Sequence, residues 1–362
     1  MTIATILFSH LPIPYDKVGS WTTLYNDLVD NTNVFTHVVC PKTHQPVDEV
    51  VYFHAEASTG ILSRLRGSSN KAARYANFVK QLKLIEKEHE KCVVHVVDNT
   101  GILEAILLHK QQECPNLIVT YAFHGFKPAI SSNLLQLVNE YLDCMSFLTE
   151  LSYRSFRASI SEFLPQVDII PNGVPQRFER SESDKENLHK DSSKVTCEFL
   201  WCSQDRRKKG LDILLTAWRE FYKTNQSCRL TVVGARRKQE AGVSYKGLVP
   251  NTQVAEYFKS ADCLLFTTLW QEGFGMVAAE AIHADCYVIA SEVGGVPEVL
   301  QHGAFGQLVA VPNSHNHWIA AMNNFVINKE VKLMQTLQQE KPYPMSVWQE
   351  DIANMIDYNR YN

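Results

Sequence analysis

The stretch Gln271-Glu272-Gly273-Phe274-Gly275-Met276-Val277-Ala278-Ala279-Glu280-Ala281 decides how the rest of the chain is read. It follows a short apolar run, Cys263–Phe266, and opens an alanine-rich segment, Met276–His283, whose length and composition predict a helix. Gly273 and Gly275 permit a tight strand-to-helix turn. The amides of Gly275, Met276 and Val277 then fall at a helix start, where donors lack intrahelical partners and the dipole is positive, so an anion is expected there. Glu272 precedes that helix and Glu280 lies about one turn inside it, so each carboxylate can accept hydrogen bonds from a different hydroxyl group. A second glycine pair, Gly294-Gly295, leads into Val296-Pro297-Glu298.

On both sides of this stretch, short apolar runs alternate with segments of helical spacing. Ile3–Ser9, Val34–Cys40, Val50–Phe53, Cys92–Val97, Leu117–Ala122, Cys144–Leu148 and Val167–Ile170 read as strands in the first half. Glu198–Trp201, Leu230–Val233, Cys263–Phe266 and Tyr287–Ala290 read as strands in the second. Their hydrophobicity is continuous rather than alternating, which is the mark of strands covered on both faces and hence of parallel sheets sandwiched by helices. Pro171-Asn172-Gly173 signals a turn, and the polar stretch from Gln176 to Lys194 reads as a linker before the pattern restarts. The expectation is therefore an α/β chain of two Rossmann-like, doubly wound domains facing each other across a cleft. The expected boundaries are 1–170 for the first domain, 171–194 for the hinge and linker, 195–342 for the second domain, and 343–362 for a helix packing back towards the first.

Composition narrows the function. The chain has 362 residues, 45% of them apolar and 20% charged, which suits two cores rather than one. A formal net charge of -4 gives no basic excess, so a nucleic-acid partner is not expected. Nine cysteines lie mostly inside apolar runs without metal-ligand spacing, which predicts buried thiols, no metal and a cytoplasmic setting. Met1–His10 reads as a first strand rather than a leader peptide, and no apolar run reaches the ~18 residues that a membrane span requires. The basic residues Arg64, Arg66, Lys71, Arg74, Lys80 and Lys83 read first as a solvated face. The alternative is a peripheral contact with the inner face of a membrane or with a lipid-phosphate acceptor.

The motif Glu-Gly-Phe-Gly-Met-Val-x-x-Glu-Ala, followed by Gly-Gly-x-Pro-Glu, resembles the signature of the retaining glycosyltransferases of family 4, which have the GT-B fold. The resemblance runs along the whole chain and is strongest over Glu272–Glu298. It implies that Glu272 binds the donor sugar and Glu280 the ribose, with Gly273, Phe274, Gly275, Met276 and Val277 lining the diphosphate end. Ser203-Gln204-Asp205-Arg206-Arg207-Lys208-Lys209-Gly210 resembles the family's phosphate loop, with Lys209 as the lysine that neutralises the leaving diphosphate. Family members usually carry an arginine where Ser203 stands, and Arg206 or Arg207 is the candidate replacement. Gly19 resembles part of the Gly-rich loop after the first strand, although the usual second glycine is Ser20. His124 resembles the histidine placed beside the donor sugar, and Leu248 marks the edge that reads the nucleobase.

These resemblances imply a metal-independent, retaining transfer from a UDP- or GDP-linked sugar, needing no cofactor, to a glycan, lipid-linked or small-molecule hydroxyl acceptor. Polysaccharide or lipopolysaccharide biosynthesis is the expected setting. Two alternatives are another enzyme on the same fold, such as a sugar phosphorylase or epimerase, and a catalytically silent relative that binds the nucleotide sugar.

Overall fold

The computed structural model describes residues 2–15, 20–58, 71–181 and 197–361. The chain divides into two compact units, Met1–Asn172 with Ser346–Asn362, and Gly173–Met345.

The first unit is built on seven strands: β1 (Ile3–Phe8), β2 (His37–Cys40), β3 (Val51–His54), β4 (Lys91–Val97), β5 (Ile118–Ala122), β6 (Cys144–Phe147) and β7 (Gln166–Ile169). Their order is β3-β2-β1-β4-β5-β6-β7, and every pairing is parallel. β1, β4 and β5 carry the buried Ile6, Phe8, Val94, Val96, Val119 and Tyr121, which accounts for their unbroken apolar sequence. Helices Ala76–Ile85 and Thr100–Gln112 cover the sheet, the latter started by Asn99, whose side chain accepts from the amides of Gly101 and Ile102.

Six strands form the second unit: β8 (Glu198–Cys202), β9 (Arg229–Val233), β10 (Val243–Gly247), β11 (Cys263–Phe266), β12 (Tyr287–Ser291) and β13 (Gly306–Val309). Their order is β10-β9-β8-β11-β12-β13, again all parallel. In each sheet the order reverses once, between β1 and β4 in the first unit and between β8 and β11 in the second. Loops leaving the carboxyl ends of such neighbours diverge and leave a crevice, which is where open α/β sheets take ligands.

The structure narrows the expected linker. Gln176–Phe178 forms a turn of 3-10 helix, and Phe178 is fully buried edge-on against Phe258, with ring centroids 5.5 Å apart. Arg180 is also buried, its Nε donating to the Ala284 carbonyl at 2.6 Å. Residues 173–180 therefore belong to the core of the second unit, because one aromatic side chain in a polar stretch is enough to anchor it. The remainder of that linker, 182–194, lies outside the described residues, as do Gly19, the Ser20 side chain, Arg64, Arg66 and the Lys71 side chain.

The last helix, Met345–Tyr361, belongs to the first unit from Ser346 onwards. Trp348 is buried there and meets Tyr25 edge-on at 5.4 Å, while Gln349 donates to Asp27 at 2.8 Å. Two strands absent from the sequence reading, β10 and β13, are sheet edges, and their polar residues and glycines hide them from a search for apolar runs. Helix Glu150–Arg157 escaped it too, because it buries only Ser152 and Phe156. No helix among the described residues is long and apolar enough to cross a membrane.

Candidate active site

Two loops meet at the β8/β11 crevice. The first leaves β8, forms a 3-10 turn over Arg207–Lys209, and enters helix Leu211–Tyr222 through Gly210, which adopts φ 74°. A side chain at Gly210 would run into the Thr267 carbonyl, so only glycine lets this loop close on the one after β11. The two loops are tied together by Leu269 N donating to Lys208 O at 2.8 Å and by the Thr267 hydroxyl donating to Lys209 O at 3.0 Å. The buried Trp201 indole donates to the same Thr267 hydroxyl at 3.0 Å, which fixes the rotamer from beneath.

This stitching brings Lys209 and Glu272 together. Lys209 Nζ lies 2.6 Å from Glu272 Oε1, and the Thr268 hydroxyl donates to the same oxygen at 2.7 Å. The two side chains are 22% and 16% exposed, so the pair is shielded yet open to a ligand. The backbone of Glu272 is held from the other side, where Gly295 N donates to its carbonyl at 2.8 Å and Gly294 N donates to Gln271 Oε1 at 2.8 Å. Gly294 has φ 57°, and a Cβ there would sit 2.6 Å from the Glu272 nitrogen.

Glu272 leads directly into the helix start. Gly273 is buried; Phe274 is buried against Tyr343, with centroids 5.1 Å apart, and the Tyr343 hydroxyl donates to the Glu298 carbonyl at 3.0 Å. Gly275, at φ 99°, caps helix Met276–His283, and its carbonyl takes the first helical bonds from Ala278 and Ala279. The amides of Met276 and Val277 precede those bonds and lie in the first turn, where the helix dipole favours an anion.

Glu280 has a different environment. It is partly buried, and loss of solvation pushes its carboxyl up to about 8, an effect opposed by the Arg177 guanidinium. Arg177 lies on the 3-10 turn Gln176–Phe178, and its Nε is buried without a hydrogen-bond partner among the described residues. The two acids of the motif thus differ, Glu272 being paired with a lysine and Glu280 only feeling the charge of an arginine.

Residues 180–341 match the family model described as glycosyl transferases group 1. That match spans nearly the whole of the second unit. Over a longer span, the chain is 24% identical to an uncharacterized 41.2 kDa protein in the cps region of Klebsiella pneumoniae, across 80% of this chain and 83% of that one. It is also 24% identical to lipopolysaccharide 1,2-N-acetylglucosaminetransferase of Salmonella typhimurium, across 68% of this chain and 66% of that one. The fold of both units is that of HepE from Anabaena, solved in complex with UDP and glucose, with a TM-score of 0.73 at 16% identity, covering 98% of this chain and 100% of that one. The two-domain α/β architecture is thus the GT-B fold.

Other expected site residues have more mixed positions. Ser203 follows β8, its amide donating to the Val233 carbonyl at 3.1 Å. Arg206 and Arg207 are exposed on the loop and take no part in the Lys209–Glu272 pair. Arg237, after β9, is the arginine that does engage this loop, pairing with Asp205 at 2.6 Å. Leu248 follows β10 and is 82% exposed, a large apolar side chain left in solvent at the sheet's carboxyl end. His124 belongs to the first unit, beyond β5, with its ring against Trp21 and Tyr25 at centroid distances of 6.1 and 5.8 Å. Burial holds that imidazole neutral, its pKa lowered to about 3. Thr268 and Arg177 escaped the sequence reading, since a threonine in a loop and an arginine in a polar stretch carry no spacing signal.

Proposed function

We propose that the protein is a retaining, metal-independent glycosyltransferase that moves a sugar from a nucleoside diphosphate sugar to a hydroxyl acceptor. The observation that carries this reading is the junction of Lys209, Glu272 and the Gly275–Val277 helix start at one switch point. A cation, an acid and a set of backbone donors there match the needs of a diphosphate and the sugar attached to it.

Lys209 and Glu272 neutralise each other as a pair. When the donor binds, the ammonium turns to the diphosphate and the carboxylate accepts hydroxyls of the sugar, so neither charge is left buried and unpaired. Glu280 accepts the ribose hydroxyls. In the reaction the bond from the sugar's anomeric carbon to the phosphate oxygen breaks. A bond to the acceptor oxygen forms on the same face, and the acceptor proton passes to the departing diphosphate. Lys209 and the helix start stabilise the charge that grows on that group. The first unit supplies the acceptor site.

UDP is the favoured base because HepE was solved with UDP, and a lipopolysaccharide or capsule-type glycan is the favoured product class because of the Salmonella and Klebsiella relatives. The test is a thermal-shift series with UDP, GDP and ADP in EDTA, in which a ligand at ~100 times its Kd adds ~2.7 kcal/mol to the folded state. Stabilisation by UDP without metal is expected; no stabilisation by any nucleotide overturns the reading. Turnover of the Glu272→Ala variant should fall by more than ~10-fold, equivalent to ~1.4 kcal/mol, and unchanged turnover would remove Glu272 from its role.

A further inference from the structure

The first unit has a switch point of its own, between β1 and β4, and the side chains around it are not accounted for by the donor site. Asp98 follows β4 with φ 50°, a left-handed conformation that a non-glycine residue adopts at some cost. Its amide donates to the Ala122 carbonyl at 2.9 Å, and its Oδ1 accepts from the His124 amide at 3.1 Å. The partly buried carboxyl is thereby fixed at the ends of β4 and β5.

Around these strand ends, two buried polar atoms have no hydrogen-bond partner among the described residues, the Tyr121 hydroxyl and Nδ1 of His10, while the His124 ring is met by the Asn172 side chain. Tyr121 is 0% exposed. Buried polar atoms are rarely left unpaired, and a pair of them at a switch point marks a place that a polar ligand fills. The indole of Trp21 forms an apolar wall, 5.6 Å from the His10 ring and 6.1 Å from that of His124. Tyr25 is already engaged, its hydroxyl 2.7 Å from His95 Nε2.

We propose that Asp98 is an acceptor-binding residue, taking a hydroxyl of a neutral sugar or polyol whose other hydroxyls meet Tyr121 and whose apolar face lies on Trp21. This rests on the glycosyltransferase reading above. An acid without a described cation beside it disfavours a phosphorylated or acidic acceptor. The charges facing Asp98 are few. Burial lowers the pKa values of His10, His95 and His124, so these imidazoles are neutral at pH 7. Tyr25 and Tyr121 are raised by burial and then by Asp98, and so stay protonated. Burial raises the Asp98 carboxyl to about 6, against the His124 amide, so Asp98 gains its charge just below neutral pH.

The test compares wild type, Asp98→Asn and Tyr121→Phe by melting temperature, with methyl α-D-glucopyranoside or glycerol as acceptor probe and, separately, with UDP. The wild type should be stabilised by a probe at pH 7.5 and lose that response below pH 6. Asp98→Asn should melt higher than wild type at pH 7.5 without ligand, because a buried charge is gone, yet lose at least ~10-fold in probe affinity while keeping its response to UDP. Tyr121→Phe should weaken the probe response alone. The proposal is overturned if neither probe stabilises the wild type, if Asp98→Asn binds the probe as the wild type does, or if it loses probe and UDP responses together. A missing UDP response in the wild type would count against the donor reading instead.

Discussion

Replacing Glu280 with glutamine tests the electrostatics of the second unit most directly. The carboxyl is raised from 4.5 to about 8, first by loss of solvation, with Arg177 acting in the opposite direction. In the unfolded chain the group titrates near its ordinary value. Between these two pH values the folded protein therefore binds more protons than the unfolded one, and stability falls as pH rises through the window. Below about 4.5 the group is neutral in both states and costs nothing; above about 8 it is charged in both and the full cost applies. A shift of this size corresponds to an order-of-magnitude cost of ~4–5 kcal/mol at alkaline pH. Glu280→Gln, which keeps the shape and removes the charge, should have stability close to wild type near pH 5. It should be more stable by several kcal/mol near pH 9, by urea denaturation at both pH values. A difference between the two proteins that does not change with pH would refute the reasoning. The same variant should bind UDP less tightly, because an amide is a poorer acceptor for two ribose hydroxyls than a carboxylate.

Two further predictions concern packing. Gly294→Ala introduces a Cβ against the Glu272 backbone and strains a φ of 57°, so it should displace Glu272 and reduce turnover by at least ~10-fold, with the melting temperature lowered. Steady-state kinetics on the variant check this, and unaltered turnover would mean that the loop yields freely. Phe178→Ala should destabilise the second unit by ~3–5 kcal/mol, measured by chemical denaturation, since it empties a fully buried aromatic site. A loss below ~1 kcal/mol would return Phe178 to a linker.

The interior strands were legible because burial on both faces writes itself as unbroken Val, Ile and Leu, as in β4 and β11. Gly275 was legible as a turn glycine, and its φ of 99° is one that other residues rarely adopt. The pairing of Lys209 with Glu272 was not, because the two lie 63 positions apart and meet only through the parallel arrangement of β8 and β11. Nor was Asp98, a lone acid whose importance comes from the uncompensated polar atoms around it rather than from its neighbours in sequence. Phe178 shows the converse error. A polar stretch reads as linker until tertiary packing claims its single aromatic ring.

The helix Met345–Tyr361 has a consequence for the order in which the molecule is made. Trp348 packs on Tyr25, a residue of the same unit that lies on the other side of Gly173–Met345 in sequence. A ribosome has translated all of Gly173–Met345 before that indole emerges. The core of the first unit around Tyr25 is therefore complete only after the whole of the second unit has been synthesised.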